Sequence, residues 1–167
     1  MIEVAADIVI GAAPDRVWRT LTDFGRFRQW HPFLELQGVP EKGTKVDYLF
    51  RLKPDGPRQW EGTAWITELE APRAFVLELG FAGLLKLEER FELSPDPGGT
   101  LIKHIARFRG LVPSIAPRKF IQRRAIHIYQ VPLEWLQHHF ASMTTPGPRP
   151  PQQGPNRFQR RSRRSRR

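Results

Sequence analysis

The chain of 167 residues contains no cysteine. Without cysteine there is no disulfide, no thiolate zinc site and no cysteine nucleophile. The apolar stretches are no longer than a strand and are broken by charged residues, so none of them spans a bilayer. The start, Met1-Ile2-Glu3, lacks the basic residues of a secretory signal. We therefore expect a soluble, cytoplasmic protein.

Several signatures of catalysis and metal binding are also absent. No GxSxG, Walker-type or dinucleotide-binding motif occurs, and only two serines precede Ser142. His138 and His139 are adjacent, so on a helix they point about 100° apart and cannot grip one ion as an i, i+4 pair would. His31 and His127 lack patterned partners, and we expect them to be surface or capping residues. The sequence therefore predicts no metal site and no cofactor, and it disfavours hydrolysis by a nucleophile.

The positive charge is concentrated at one end of the chain. Basic residues outnumber acidic residues by 27 to 17, but the segment 142–167 holds eight arginines and no acid, which leaves 19 against 17 before it. The same segment is rich in proline and has little to bury, so we predict a disordered tail at 142–167 after one domain at 1–141. Residues 157–167 are expected to bind nucleic acid, to meet an anionic membrane surface, or only to keep the protein soluble.

Local patterns predict an α+β domain. Apolar residues alternate with other residues over 2–10, as in a half-buried strand. Pro14 begins a helix, and a second short helix ends near Pro32. A long helix over about 117–141 ends the domain, and Pro132 is expected to kink or split it. Between these helices, turns rich in proline and glycine separate six strands at 34–39, 45–53, 58–69, 74–81, 84–93 and 100–110.

Hairpin register is predicted by the pairing that places every apolar side chain on a shared face. For the last hairpin, partners whose numbers sum to 193 satisfy this condition and place Glu89 opposite His104. For the preceding hairpin, a sum near 143 pairs Ile66 with Leu77. Glu89 and His104 are then polar neighbours on an apolar face. Two interpretations stay open, an ion pair that fixes the register, or a polar anchor or general acid and base for a ligand.

Three local motifs carry a family resemblance: Ala13-Pro14-Asp15-Arg16-Val17-Trp18, then Leu21-Thr22-Asp23-Phe24, then Trp30-His31-Pro32-Phe33. These motifs and the order of the elements over about residues 2–141 resemble the START-like polyketide cyclase/dehydrase and lipid-transport superfamily, the SRPBCC proteins. The resemblance implies a helix-grip fold: a curved seven-stranded antiparallel sheet wraps around a long C-terminal helix, with two short helices after strand 1. It also implies a cavity for a hydrophobic ligand, and it implies no catalytic residue.

By this analogy the inward side chains of the strands and of the long helix would line the cavity, although each is also explained as ordinary core. The predicted ligand-binding residues are Tyr48, Phe50, Trp60, Phe75, Leu77, Leu87, Phe91, Ile128, Trp135 and His139. We expect the protein to carry or sequester a hydrophobic small molecule such as a lipid, a quinone or a polyketide-like compound. The alternative is a cyclase, aromatase or dehydratase in which Glu89 or His104 moves a proton as a catalytic residue.

Overall fold

The computed structural model describes residues 1–54, 56–81, 84–111 and 118–144. The strands are β1 (Ile2–Ile10), β2 (Leu34–Gln37), β3 (Lys45–Arg51), β4 (Gln59–Glu70), β5 (Ala74–Phe81), β6 (Leu85–Asp96) and β7 (Gly99–Arg109). The helices are α1 (Pro14–Thr22), a 3₁₀ helix (Phe24–Gln29) and α2 (Arg118–Thr144). All seven strands form one antiparallel sheet of order β1-β7-β6-β5-β4-β3-β2. The predicted helix-grip α+β fold is confirmed.

The order of the strands follows from short connections. Strands β2 to β7 are consecutive neighbours, joined by connections that are short in sequence, whereas β1 pairs with β7 and lies at the edge opposite β2. The chain crosses from one edge to the other through α1 and the 3₁₀ helix. Pro14 is the first residue of α1, where its missing N–H costs nothing because that position has no intrahelical partner.

The register of the β6–β7 hairpin differs from the predicted one by two residues. Paired residue numbers sum to 195, so Glu89 lies opposite Ala106 instead of His104. This register makes Pro97 the first of the two central turn residues, where the fixed φ of proline is favoured; a sum of 193 would make it the second, where proline is disfavoured. A shift of two preserves the face, so Glu89 and His104 remain on the same side as diagonal neighbours.

The register of the β4–β5 hairpin was predicted correctly over its first part. Ile66 lies opposite Leu77, and Ala64 lies opposite Leu79, as the sum of 143 requires. A β-bulge follows Ile66, after which Glu68 faces Val76. Such a bulge increases the local bend of a strand, which suits a sheet that must curve around a helix.

Helix α2 packs on the sheet through a different face from the one predicted. It runs unbroken through Pro132, so the proline does not split it. Tyr129, Leu133 and Leu136 are buried, whereas Trp135 is 46% exposed. The inward position predicted for Trp135 was therefore wrong. Two adjacent stripes of this helix are mostly apolar. The stripe that carries the two buried leucines packs against the sheet, and the stripe that carries His139 does not.

The convex face of the sheet is polar, as the alternation of its strands predicts. Arg107 donates hydrogen bonds to Glu3 on β1 and to Glu88 on β6, each over 2.8 Å. Arg90 binds Glu68 on β4 through both of its terminal nitrogens. These ion pairs lie on the convex face, whereas the apolar core lies on the opposite, concave face.

Candidate ligand-binding site on the concave face

The concave face of the sheet is apolar, and its exposure increases toward one end. Near the β4–β5 turn, Phe75 and Phe91 are fully buried and their rings stack with centroids 5.9 Å apart. At the other end, five side chains pack against the core but stay partly exposed, and a sixth, Trp60, is 43% exposed and contacts Phe50. We name this group the apolar basin; it consists of Tyr48, Phe50, Trp60, Leu79, Leu87 and Phe108.

Cross-strand pairing brings the members of the apolar basin together. Leu87 lies between Leu79 on β5 and Phe108 on β7, so the three form one row across the sheet. Phe50 lies opposite Trp60, and their ring centroids are 6.0 Å apart. Because side chains alternate between the two faces of a strand, these directly opposed residues share the concave face.

Gly62 makes room for the ring of Tyr48. The two residues are paired between β3 and β4, and a Cβ at Gly62 would lie 2.7 Å from the Tyr48 hydroxyl oxygen, closer than side chains pack. A glycine in mid-strand allows such a close approach. The Tyr48 phenol therefore fills the space above Gly62 on this face of the sheet.

A buried polar cluster lies at the inner end of the apolar basin. Glu89 is 8% exposed and His104 is fully buried. The Tyr129 hydroxyl, on α2, donates a hydrogen bond of 3.4 Å to Glu89 Oε1. His104 Nε2 lies 3.8 Å from Glu89 Oε2. The imidazole is fixed between two rings: it stacks on Phe91 at 4.0 Å and meets Tyr129 edge-on at 4.8 Å.

The polar cluster is incompletely hydrogen-bonded. Glu89 Oε2 and both ring nitrogens of His104 are buried and have no hydrogen-bond partner among the residues that the structure describes. Buried polar atoms are nearly always paired, because leaving one unpaired costs about 1–3 kcal/mol. One carboxylate oxygen and two ring nitrogens of the cluster are therefore left without a hydrogen bond among the described residues.

Burial and charge determine the protonation of the surrounding groups. Burial raises the pKa of Tyr129 well above its ordinary value, and the Glu89 carboxylate raises it further, so the phenol stays a donor. Burial and then Glu89 also raise the pKa of Tyr48. Burial lowers the pKa of His31 well below its ordinary value, and the nearby His104 lowers it further. His31 is therefore held neutral beside the cluster.

Four residues of this region were not among the predicted site residues: Leu79 and Phe108 in the basin, and His31 and Tyr129 at its inner end. His31 was expected at the surface or in a capping position, and it takes the capping position: its side chain is 4% exposed and its Nδ1 accepts the Leu34 N–H at 3.0 Å. Tyr129 was missed because the inward stripe of α2 was placed one residue away. Its spacing to Leu133 and Leu136, at four and seven residues, is the signal that could have found it.

The predicted ligand-binding residues fall into three groups. Tyr48, Phe50, Trp60 and Leu87 lie in the apolar basin, while Phe75, Leu77 and Phe91 are fully buried core beneath it. Ile128 is half-buried on α2. Trp135 faces outward, and His139 lines a separate cleft beside α1, so neither belongs to the basin. The binding role of the others stays a prediction.

A polar cleft of about 820 Å³ borders the basin. The 3₁₀ helix and strands β2 to β4 form its walls, and Tyr48 and Gly62 are among its lining residues. Its walls also carry Arg28 and carboxylates that include Glu35 and Asp47, so it differs in chemistry from the basin. Neither Glu89 nor His104 lines it.

The fold is shared with solved structures of low sequence identity. Protein CV1439 from Chromobacterium violaceum is 16% identical over 83% of this chain and 96% of that one, with a TM-score of 0.66. TTHA0849 from Thermus thermophilus is 17% identical over 86% and 99%, also with a TM-score of 0.66. DynU16, a putative protein in the dynemicin biosynthetic locus, is 14% identical over 86% of this chain and 48% of that one, with a TM-score of 0.64.

The chain belongs to the polyketide cyclase / dehydrase and lipid transport family, which matches residues 1–140. The predicted resemblance is confirmed, and at a coarse level the family supports a hydrophobic ligand or a polyketide-related function. No curated protein sequence matches the chain. Among the described residues, no helix is long and apolar enough to cross a membrane. Within the same residues, no group of three or more potential ligands could hold a metal ion.

Proposed function

We propose that the protein binds a hydrophobic small molecule in the apolar basin, and that Glu89 and His104 recognise a hydroxyl group at its inner end. One observation carries the proposal: partly exposed apolar side chains adjoin a buried carboxylate oxygen and a buried imidazole that lack hydrogen-bond partners among the described residues. An apolar body is recognised by burial, and its orientation is fixed by a few placed polar groups.

The chemistry of the cluster selects a hydroxyl group. Glu89 Oε2, when ionised, only accepts a hydrogen bond, whereas a His104 N–H donates one. A hydroxyl donates and accepts at once, while a carbonyl only accepts and a hydrocarbon does neither. Of the ligand classes expected for this protein, a phenolic polyketide-like compound or a reduced quinone carries such a hydroxyl.

Calorimetric titration with a matched pair of probes tests this proposal. 2-Naphthol and 2-methylnaphthalene have the same ring system and differ by a hydroxyl in place of a methyl group. We expect 2-naphthol to bind at least about tenfold more tightly, since a hydrogen bond to a charged group contributes about 1.5–3 kcal/mol. The variant Glu89→Leu/His104→Leu should lose this preference while it keeps affinity for 2-methylnaphthalene.

The control removes an outward pair of the same kind. Glu78 and Lys86 form a salt bridge of 2.8 Å on the convex face, and Glu78→Leu/Lys86→Leu should leave both affinities unchanged. Equal affinities of the two probes for the native protein would contradict the hydroxyl recognition. Failure of both probes to bind would contradict the basin as a ligand site.

A second candidate function is proton transfer at a carbon acid, as in a cyclase or dehydratase. The observation that favours it is the asymmetry of Glu89: Tyr129 holds Oε1, and Oε2 has no partner among the described residues and can take a proton. Oε2 would accept a proton from the carbon beside a ligand carbonyl, and the C–H electron pair would form an enolate. A His104 N–H would donate a hydrogen bond to the enolate oxygen.

Hydrogen exchange distinguishes binding from this chemistry. In D₂O the native protein should accelerate exchange of the C1 protons of 2-tetralone, followed by NMR, and Glu89→Gln should abolish the acceleration without weakening the binding of 2-tetralone. Exchange at the uncatalysed rate in the native protein would exclude Glu89 as a base for this probe and leave binding as the function.

The proposed partners of the tail are tested separately. Residues 157–167 lie outside the described residues, so an anionic membrane surface or nucleic acid stays a prediction, as does the cytoplasmic location. Removing residues 145–167 should weaken association with anionic liposomes or RNA if the arginines bind phosphates. Unchanged association would show that the tail only keeps the protein soluble.

A further inference from the structure

A second cleft, with a basic lining, lies among the helices. It has a volume of about 360 Å³ and is formed by α1, the 3₁₀ helix and the C-terminal half of α2. None of its lining residues belongs to the apolar basin or to the Glu89–His104 cluster. The basic cleft is therefore a candidate site separate from the one proposed above.

Positive charge dominates the cleft. Arg16 and Arg19 contribute guanidinium groups from α1, and Arg26 contributes one from the 3₁₀ helix. Asp23 is the one carboxylate among the lining residues, and its Oδ2 lies 3.8 Å from Arg26 Nε. Three guanidinium groups against one carboxylate leave an excess of two positive charges, before any contribution from His139.

Two of these arginines are oriented by contacts that do not use their terminal nitrogens. The guanidinium of Arg16 lies over the ring of Phe140, with its central carbon 5.5 Å from the ring centroid. Arg19 donates through Nε to the carbonyl oxygen of Asp15 over 3.3 Å. Terminal N–H groups of an arginine form a planar fork that matches the oxygens of a phosphate.

The wall of the same cleft contains a buried donor without an acceptor. Trp30 lines the cleft and is 1% exposed, and its indole N–H has no hydrogen-bond partner among the described residues. An indole can only donate, so its missing partner must be an acceptor.

We propose that the basic cleft binds a phosphate group, free or as the ester of a larger molecule. The arginine forks bind its oxygens, and the indole N–H of Trp30 faces a further oxygen. A phosphate presents several acceptors at once, and the cleft combines guanidinium groups from two elements around a volume that holds an anion of this size.

NMR on the full chain provides a local readout. The protein has five tryptophans, whose indole N–H signals are separate from the backbone signals. At constant ionic strength, inorganic phosphate should shift the Trp30 signal saturably, and the apparent affinity should fall at least tenfold in Arg16→Gln/Arg19→Gln. Phosphatidic acid vesicles are tested in a second titration. If the natural ligand is a lipid headgroup, only the vesicles should shift the Trp30 signal; if it is free phosphate or a soluble ester, inorganic phosphate alone should shift it.

The control removes two exposed arginines elsewhere. Arg58→Gln/Arg109→Gln lowers the net charge by the same two units, at the far end of the sheet, and should leave the phosphate affinity within twofold of the native value. An equal loss in both double variants would overturn the proposal, because it would assign the effect to overall charge and to the arginine-rich tail. The absence of a Trp30 shift in both titrations would overturn it as well.

Discussion

Replacing the buried polar pair by apolar side chains should stabilise the protein. Glu89 Oε2 and the His104 imidazole are buried without hydrogen-bond partners among the described residues. Removing the two groups should raise the free energy of unfolding by about 1–3 kcal/mol each. The Tyr129 hydroxyl then loses its acceptor, which should lower it by about 1–3 kcal/mol. The expected net gain for Glu89→Leu/His104→Leu is about 1–3 kcal/mol, within the range seen when buried ion pairs are replaced by apolar residues.

Urea unfolding measures this gain directly. With a slope of about 2 kcal/mol per molar urea, a gain of about 2 kcal/mol raises the midpoint by about 1 M. Adding Tyr129→Phe removes the stranded hydroxyl and should raise the midpoint again. The exposed control Glu78→Leu/Lys86→Leu should change stability by less than about 1 kcal/mol, because surface ion pairs contribute little.

A loss of stability in Glu89→Leu/His104→Leu would contradict this prediction. If the double variant lost more than about 1 kcal/mol, the carboxylate and the imidazole would be fully hydrogen-bonded to each other in solution. The pair would then act as the structural ion pair that was the alternative interpretation, with no free acceptor or donor for a ligand.

Three further predictions concern the packing around the site. Burial lowers the pKa of His31, so the unfolded chain takes up this proton at a higher pH than the folded protein does. The free energy of unfolding should therefore fall by about 1 kcal/mol per pH unit as the pH falls below about 6.5. His31→Asn should flatten this fall in urea unfolding measured from about pH 7 to 5. Leu133→Ala should cost about 2–5 kcal/mol and Trp135→Ala less than about 1 kcal/mol in thermal unfolding; equal costs would contradict the observed helix face. Gly62→Ala should destabilise the native protein by about 1–3 kcal/mol but not a Tyr48→Ala background, and an equal effect in both would show that the two residues are uncoupled.

The face of the sheet on which each side chain lies was predictable from sequence, because side chains alternate between the two faces and a register error of two residues does not change the face. The register of the last hairpin was wrong by two residues, yet Glu89 and His104 were correctly placed on one face, since a shift of two returns each side chain to the same side. The turn chemistry of Pro97 would have given the correct register. Neighbouring hairpins constrain one another's register only in the folded sheet, so this constraint cannot be used when each hairpin is predicted from sequence.

The site was less predictable, because its parts come from elements that are distant in sequence. Tyr129 reaches Glu89 across 40 residues, and its position depends on which of two similar stripes of α2 meets the sheet. The basic cleft likewise joins Arg16 and Arg26 to His139 on α2. No local pattern relates such residues, so their proximity depends on tertiary packing.

A crystal structure of the complex with 2-naphthol would show whether Glu89 and His104 recognise a hydroxyl group at the inner end of the apolar basin. We expect the ring system to lie against Leu79, Leu87 and Phe108, with its oxygen within hydrogen-bonding distance of both Glu89 Oε2 and a ring nitrogen of His104. A naphthol bound in the polar cleft beside Arg28, or a basin that excludes the probe at saturating concentration, would contradict it.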